Sequence, residues 1–192
     1  DMGLTGSLAD KVDAGEIQLI LVDTVNNESW YNKGVHPAVR AARHVQYDAY
    51  LRHEMVPYIF KRAQRGDLVV YGASFGAYHA SNFAARYPDV VSRVICFSGV
   101  FDIYSFVDGY WDDNCYFHCP VAYIPNMDGD WVGRLSRTGW VIATGEHDSI
   151  VQKNRDFSNL LWAKGIPNYS EFWAGQFGHD WPWWREHLRR FV

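Results

Sequence analysis

Short apolar runs alternate with longer amphipathic stretches along most of this 192-residue chain. Apolar runs of this length that are rich in Val and Ile are typical of buried strands, while the stretches between them have the period of helices. A chain that alternates the two predicts βα units, which assemble into a mostly parallel sheet flanked by helices. The predicted fold class is therefore α/β. The predicted strands cover residues 17–23, 68–73, 93–99, 140–145 and 170–174.

The predicted helices lie before, between and after these strands, at residues 4–14, 37–64, 75–87, 150–164 and 182–191. Pro37 suits the first turn of its helix, but Pro57 lies inside the same helix and predicts a bend. Residues 100–137 show no sustained period and are rich in Gly, Pro, Asp and aromatic residues, which predicts an irregular, lid-like segment. The length fits a single domain over residues 1–192.

Charge and hydropathy exclude several classes of partner. The formal net charge of −4 leaves no surplus of Lys and Arg to displace counterions from phosphates, which argues against nucleic-acid binding. No apolar run approaches the roughly 20 residues that cross a bilayer. We therefore expect a small-molecule partner, and the sequence leaves the oligomeric state open.

The three cysteines are too few for a disulfide framework, which favours a reducing, cytoplasmic compartment. No signal peptide is visible. Because the chain begins at Asp1 and not at Met, we expect it to be a piece of a longer protein.

Two clusters have the residue types of a metal site without the spacing. Cys115, His118 and Cys119 offer three ligands, but a closed zinc site needs four and no fourth is evident. Four aspartates offer carboxylates to calcium, yet their spacing matches no calcium loop. They are Asp112, Asp113, Asp128 and Asp130. The sequence therefore predicts no metal and no cofactor.

The most informative motif is Gly72-Ala73-Ser74-Phe75-Gly76, which follows a predicted strand and opens a predicted helix. A Gly-x-Ser-x-Gly motif in this context is typical of a nucleophile elbow, a sharp turn that exposes the serine hydroxyl. The following helix points its N-terminus at the reacting carbonyl, so the Phe75 backbone N–H becomes a candidate oxyanion donor. A tight turn with no chemical role is the alternative.

A serine nucleophile needs a base to take its proton and an acid to orient that base. In chains with a nucleophile elbow the acid follows the serine and the histidine comes last, each at the end of a strand. Asp148 follows the fourth predicted strand and His179 the fifth, so they are the predicted acid and base. Glu146 is the alternative acid, and helix capping is the alternative role for Asp148.

These motifs resemble a known family. Tyr71–Gly76, Gly145–Asp148 and Phe177–Trp181, together with Ser29-Trp30-Tyr31-Asn32, resemble the esterase family of α/β-hydrolases. That family includes esterase D (S-formylglutathione hydrolase), feruloyl and enterochelin esterases, and the antigen 85 mycolyltransferases. The resemblance implies a Ser74–His179–Asp148 triad and one oxyanion amide from Phe75. It also implies strands ahead of residue 17 and a second oxyanion donor, neither of which we find in this sequence.

The resemblance favours hydrolysis of a carboxylic ester through an acyl-enzyme, as a serine esterase. Aromatic residues make up 17% of the chain, and several of them are candidates to line a substrate pocket. The candidates are Trp30, Tyr104, Trp111 and Trp181. Two alternatives stay open: acyl transfer to an alcohol by the same triad, and a binding module that keeps the fold without turnover.

Overall fold

A parallel sheet of four strands forms the centre of the computed structural model, which describes residues 2–63, 66–175 and 178–192. The strands lie in the order β1, β2, β3, β4, so all four carboxyl ends meet at one edge of the sheet. The strands are β1 (Val69–Ala73), β2 (Arg93–Phe97), β3 (Gly139–Gly145) and β4 (Asn168–Trp173). Four of the five predicted strands are thus confirmed to within two residues at each end.

Both faces of the sheet are covered. Along β2, Val94 and Cys96 belong to one hydrophobic cluster, whereas Ile95 and Phe97 belong to another on the opposite face. The next strand alternates in the same way. Burial on both faces explains why these strands are continuous apolar runs and lack the polar alternation of a half-exposed strand.

The predicted strand at residues 17–23 is wrong, because these residues form no strand. Ile17 and Leu19 pack against the sheet, but Leu21 and Val22 are exposed. A strand requires a neighbour whose backbone completes its hydrogen bonds. The apolar pattern of residues 17–23 is strand-like, yet no described strand pairs with this segment.

Helices flank the sheet at most of the predicted places. The predicted helix 4–14 is two short helices that meet at Leu8. The α-helices are α1 (Leu4–Ser7), α2 (Ala9–Asp13), α3 (Pro37–Tyr50), α4 (Val56–Arg62), α5 (Phe75–Arg86), α6 (Asp113–Tyr116), α7 (Pro120–Tyr123), α8 (Gly129–Leu135), α9 (Val151–Ala163) and α10 (Trp181–Leu188).

The predicted helix 37–64 runs through α3 and α4, and its final residue, Gln64, lies outside the described residues. Between them, Leu51–Met55 form a π-helical turn in which the Val56 N–H donates to the Leu51 carbonyl. This turn comes directly before Pro57, which has no N–H for the usual α-helical bond. The irregularity predicted at Pro57 is therefore a π-turn just ahead of it.

Residues 100–137 are more regular than predicted. They contain α6, α7 and α8 as well as two 3-10 turns at Tyr104–Phe106 and Ile124–Asn126. Each of these elements is seven residues or shorter, so no helical period persists long enough to be visible in the sequence.

Within the described ranges, no helix has the length and apolar character needed to cross a membrane.

Candidate active site

Ser74 occupies a strained turn between β1 and α5. It has a φ of 56° and a ψ of −121°, in a region that side-chain-bearing residues rarely adopt. The Ser74 N–H donates to the Phe97 carbonyl at 2.9 Å, and its own carbonyl accepts from Val100 at 3.2 Å. The backbone at the end of β2 therefore holds this turn in place.

The glycines on either side of Ser74 explain why the turn is so tight. A Cβ atom on Gly72 would lie 2.0 Å from the carbonyl oxygen of Gly76. Only a glycine fits at position 72, because the start of α5 folds back over the end of β1. Phe75 is the first residue of α5, so its N–H has no acceptor within the helix and stands next to Ser74.

Asp148 and His179 are in direct contact. Asp148 follows β3 and His179 lies in the loop between β4 and α10. The imidazole Nδ1 atom is 3.1 Å from Oδ2 and 3.3 Å from Oδ1 of the carboxylate. The Asp148 side chain is fully buried, while that of His179 keeps 32% of its exposure. Glu146, two residues before Asp148, is exposed.

Burial acts to raise the pKa of the Asp148 carboxyl, but the hydrogen bonds that it accepts outweigh burial and hold the pKa well below its usual range. The donors include His179, the Ile150 N–H at 3.0 Å and the Thr144 hydroxyl at 2.9 Å. Asp148 is therefore ionised at neutral pH. An ionised carboxylate accepts a proton donor, which places the imidazole proton on Nδ1 and leaves Nε2 as the basic nitrogen.

In the described part of the chain no hydrogen bond joins the Ser74 hydroxyl to His179, whose Nδ1 atom faces Asp148, so the contact between nucleophile and base stays a prediction. Phe177, part of the predicted histidine motif, lies outside the described residues. The structure thus brings the predicted acid and base together, with the predicted nucleophile at the same edge of the sheet.

The four candidate pocket residues have different environments. Trp30 is completely buried, and its indole N–H donates to the Tyr78 hydroxyl at 3.0 Å, so it is a core residue with no surface to offer a ligand. Tyr104 and Trp111 are exposed and stack on each other with ring centroids 5.3 Å apart. Trp181 is half-buried and packs edge-on against Trp184.

Sequence reasoning missed an aromatic group beside Ser74. Tyr31 is exposed, and its ring lies 5.0 Å from that of Phe75 and 5.4 Å from that of Phe106. Phe106 comes from the segment 100–137, so that segment reaches the elbow. The sequence signal is the Trp30-Tyr31 pair, of which Tyr31 is the exposed member.

Sequence reasoning also missed two buried hydroxyls beside Asp148. Ser98 directly follows β2, and Thr144 is the second-last residue of β3. Their hydroxyl oxygens lie 3.0 Å apart. Small polar residues at buried strand ends, as in Phe97-Ser98-Gly99, are the sequence signal that could have found them.

Two of the residues considered for metals, Asp112 and His118, have other partners. Asp112 caps α6 through the Cys115 N–H and accepts from the Tyr110 hydroxyl, so its oxygens are already occupied. His118 contacts Asn82 through Nδ1. In the described residues no three His, Cys, Asp or Glu side chains are arranged to hold a metal ion.

A family model described as "Putative esterase" matches residues 2–191. The chain belongs to this esterase family. Among curated proteins, none matches this member of the esterase family.

Solved structures of similar fold include esterases and serine hydrolases. A ferulic acid esterase is 23% identical, with a TM-score of 0.64 over 76% of this chain and 59% of its own. The S-formylglutathione hydrolase FrmB of Staphylococcus aureus is 22% identical, with a TM-score of 0.58 over 81% of this chain and 62% of its own. The fluorophosphonate-binding serine hydrolase FphF of Staphylococcus aureus is 22% identical, with a TM-score of 0.53 over 76% of this chain and 61% of its own.

The family model confirms the predicted family, and the solved structures confirm the predicted fold class: the chain has the parallel sheet and flanking helices of the α/β-hydrolase fold. It spans about three fifths of the length of these esterases.

Proposed function

We propose that this chain is a serine-dependent carboxylic ester hydrolase with Ser74 as nucleophile, His179 as base and Asp148 as acid. One observation carries the proposal. The strained elbow at Ser74 and the Asp148–His179 pair both lie at the carboxyl edge of the sheet, where α/β folds bind their ligands. Membership of the esterase family supports the same reaction class.

The proposed reaction has two steps. The Ser74 Oγ atom attacks the ester carbonyl carbon while its proton moves to Nε2 of His179. The resulting oxyanion accepts a hydrogen bond from the Phe75 N–H, and the leaving alcohol takes the proton from His179. A water molecule, deprotonated by His179, then attacks the acyl-enzyme, and the carboxylic acid leaves as Ser74 regains its proton.

Asp148 has two tasks in this proposal. Its buried carboxylate accepts from Nδ1, which fixes the tautomer and keeps Nε2 available for the proton from Ser74. Its negative charge stabilises the imidazolium that forms in the transition state. The proposal requires His179 to reach hydrogen-bond distance from Ser74 Oγ when an ester binds, as bonds between such groups often tighten on binding.

The substrate side of the proposal rests on the exposed aromatic residues. Tyr31 adjoins Phe75, which carries the proposed oxyanion amide, and so stands where part of the ester would lie. Tyr104, Trp111 and Trp181 remain candidate substrate contacts. A planar or apolar acyl or alcohol group would pack on such rings.

A fluorophosphonate probe tests the proposal directly, because the reagent forms a covalent bond with an activated serine. We expect stoichiometric labelling of the chain and none of Ser74→Ala. Hydrolysis of p-nitrophenyl acetate should fall by roughly 10⁴-fold or more in Ser74→Ala, as loss of a nucleophile does in other serine hydrolases. Ser105→Ala removes an exposed serine hydroxyl and should leave both readouts unchanged.

Two results would contradict the proposal. A folded chain that neither labels nor hydrolyses the ester would be a binding module with an α/β-hydrolase fold. If added alcohol takes the acyl group in preference to water, the same serine chemistry makes the chain an acyltransferase.

A further inference from the structure

A buried series of hydrogen bonds runs behind Asp148, on the side away from the solvent. The Thr144 hydroxyl donates to Asp148 Oδ2 at 2.9 Å, and the Ser98 and Thr144 oxygens are 3.0 Å apart. The indole Nε1–H of Trp184 donates to Ser98 Oγ at 2.9 Å. All four side chains are buried, so the series is shielded from water.

The chemistry of its two ends fixes the direction of the series. An ionised carboxylate can only accept, so the Thr144 proton points to Asp148. The Ser98 hydroxyl has two acceptors within reach, the Thr144 oxygen and the Asp148 carboxylate, and both lie on the Asp148 side of Ser98. An indole can only donate, so the Ser98 oxygen accepts from Trp184, and every proton in the series points toward Asp148.

We propose that Trp184, Ser98 and Thr144 act in series as positioning residues that set how strongly Asp148 holds the His179 imidazole. The inference rests on the proposed function, because it assigns these residues to the acid of the proposed triad. It accounts for two buried hydroxyls that the covalent steps do not use.

The backbone supports a specific role for Ser98. Its φ is 47°, a conformation that costs free energy for any residue with a side chain. The Ser98 N–H is held by the Ala143 carbonyl at 2.9 Å. This strained backbone points the hydroxyl between Trp184 and Thr144, where a glycine would relieve the strain but break the series.

The series also closes on the base. The ring of Trp184 meets the ring of His179 edge to face, with centroids 4.9 Å apart. One side chain of α10 therefore begins the series that ends on Asp148 and packs against the imidazole that Asp148 orients. The buried Trp184 side chain therefore contacts both the series behind Asp148 and the His179 ring.

Donors on a carboxylate spread its negative charge and weaken its pull on any other donor. Removing the Thr144 hydroxyl should therefore strengthen the attraction between Asp148 and protonated His179. The other ionisable groups next to this pair in the chain are Glu146 and His147, which are exposed, and Asp180, which caps α10. None of these groups is altered in the variants below.

The test measures the pKa of His179 by NMR titration of the whole chain. In Thr144→Val we expect this pKa to rise above that of the wild-type chain, because the carboxylate keeps more of its charge for the imidazole. Thr144→Ser keeps the hydroxyl and should keep the wild-type pKa. Ser98→Ala removes the other hydroxyl that lowers the pKa of Asp148, so it should shift the His179 pKa in the same direction.

A matched control separates this effect from loss of packing. Thr138, which directly precedes β3, is also buried. Its hydroxyl donates to the Val91 carbonyl at 3.3 Å. Thr138→Val should lower stability without moving the His179 pKa. An unchanged pKa in both Thr144→Val and Ser98→Ala, or an equal shift in Thr138→Val, would overturn the inference.

The titration needs no turnover, so it separates this inference from the proposed function. A chain that resists the fluorophosphonate yet shifts its His179 pKa in Thr144→Val would contradict the hydrolase and keep the series. If the chain does turn over esters, the acid limb of kcat/KM should move upward with the pKa of His179 while KM changes little.

Discussion

The two glycines that flank Ser74 differ at the scale of single residues, although the motif treats them alike. Space at Gly72 is filled by the backbone of Gly76, whereas a Cβ atom on Gly76 would meet nothing within 4 Å outside its own helix. The φ of Gly76 also lies outside the left-handed region. The fold therefore needs a glycine at the first position, and the second is free of this constraint.

We predict that Gly72→Ala lowers the free energy of unfolding by about 3 kcal/mol, because the new methyl group would force β1 and α5 apart. Gly76→Ala should leave stability equal or slightly higher, since alanine favours a helix over glycine. Urea unfolding followed by circular dichroism measures both. Equal losses in the two variants would contradict the steric explanation.

The catalytic roles of Ser74, Asp148 and His179 stay predictions, but the contact between the last two follows from their places in the sequence. Asp148 and His179 could be predicted because each follows a strand in the expected chain order, and they are in contact. Ser98 and Thr144 could not, because a hydrogen bond between the ends of neighbouring strands depends on sheet register, which no local motif encodes. Trp30 was misjudged as a pocket residue because an aromatic side chain gives no sign in the sequence of whether it faces a ligand or the core.

At the scale of secondary-structure elements, one side chain of α9 fastens the end of β2. The buried Asn154 accepts from the Gly99 N–H at 2.8 Å and donates to the Gly99 carbonyl at 3.2 Å. Gly99 directly follows Ser98, and Val100 bonds to the carbonyl of Ser74. Helix α9 therefore stabilises the loop after β2, whose backbone bonds to the turn at Ser74.

We expect Asn154→Ala to cost about 3 kcal/mol of stability, because it strands a buried N–H and a buried carbonyl without partners. Asn159→Ala, in an exposed position on the same helix, should change stability by less than about 0.5 kcal/mol. Thermal unfolding compares the two. The explanation fails if the exposed variant is destabilised as much as the buried one.

Elements were predictable from sequence where burial is on both faces and less so elsewhere. Strands β2 and β3 are largely buried apolar runs whose type needed no tertiary information, whereas β4 carries Ser170 and Glu171 and is partly exposed. Residues 17–23 have an apolar pattern but no described partner strand. The short helices α7 and α8 are held by bonds distant in sequence, from Tyr123 to Asn82 and from Trp131 to Ala85. The π-turn before Pro57 depends on where the chain places an extra backbone bond, which the sequence marks only by the proline.

At the scale of the whole molecule, three histidines cluster at α5: His44 and His118 are buried, and His79, on the helix itself, is half-buried. The ring of His44 lies 4.7 Å from that of His118 and 5.4 Å from that of His79. Burial lowers the pKa of all three, to about 3 for His79 and for His118. Nδ1 of His118 accepts from the amide of Asn82, a bond that a proton on Nδ1 would break.

These lowered pKa values make stability depend on pH. An unfolded histidine takes up a proton below about pH 6.5, whereas His118 in the folded chain resists it until about pH 3. The unfolded state therefore binds more protons in this window. The stability from His118 is complete above pH 6.5 and is lost as pH falls toward 3.

We predict that the free energy of unfolding drops by on the order of 2 kcal/mol for His118 alone between about pH 6.5 and 4.5. His118→Gln should be less stable at neutral pH but show a weaker pH dependence. His53→Gln, an exposed position, should keep the wild-type slope. Urea unfolding at a series of pH values measures the slopes, and an unaltered slope in His118→Gln would argue against burial as the cause.

Each of the four strands delivers one part of the proposed chemistry to the same edge: Ser74 after β1, Ser98 after β2, Asp148 after β3 and His179 after β4. These residues are distant along the chain, so the entropy of closing the loops between them is lost before their contacts can stabilise the fold. The proposed active site therefore forms only when the whole sheet has folded. A fragment that ends between any two strands would lack at least one of these residues and should be inactive. After refolding, the recovered activity should therefore measure the fraction of molecules in which all four strands are paired.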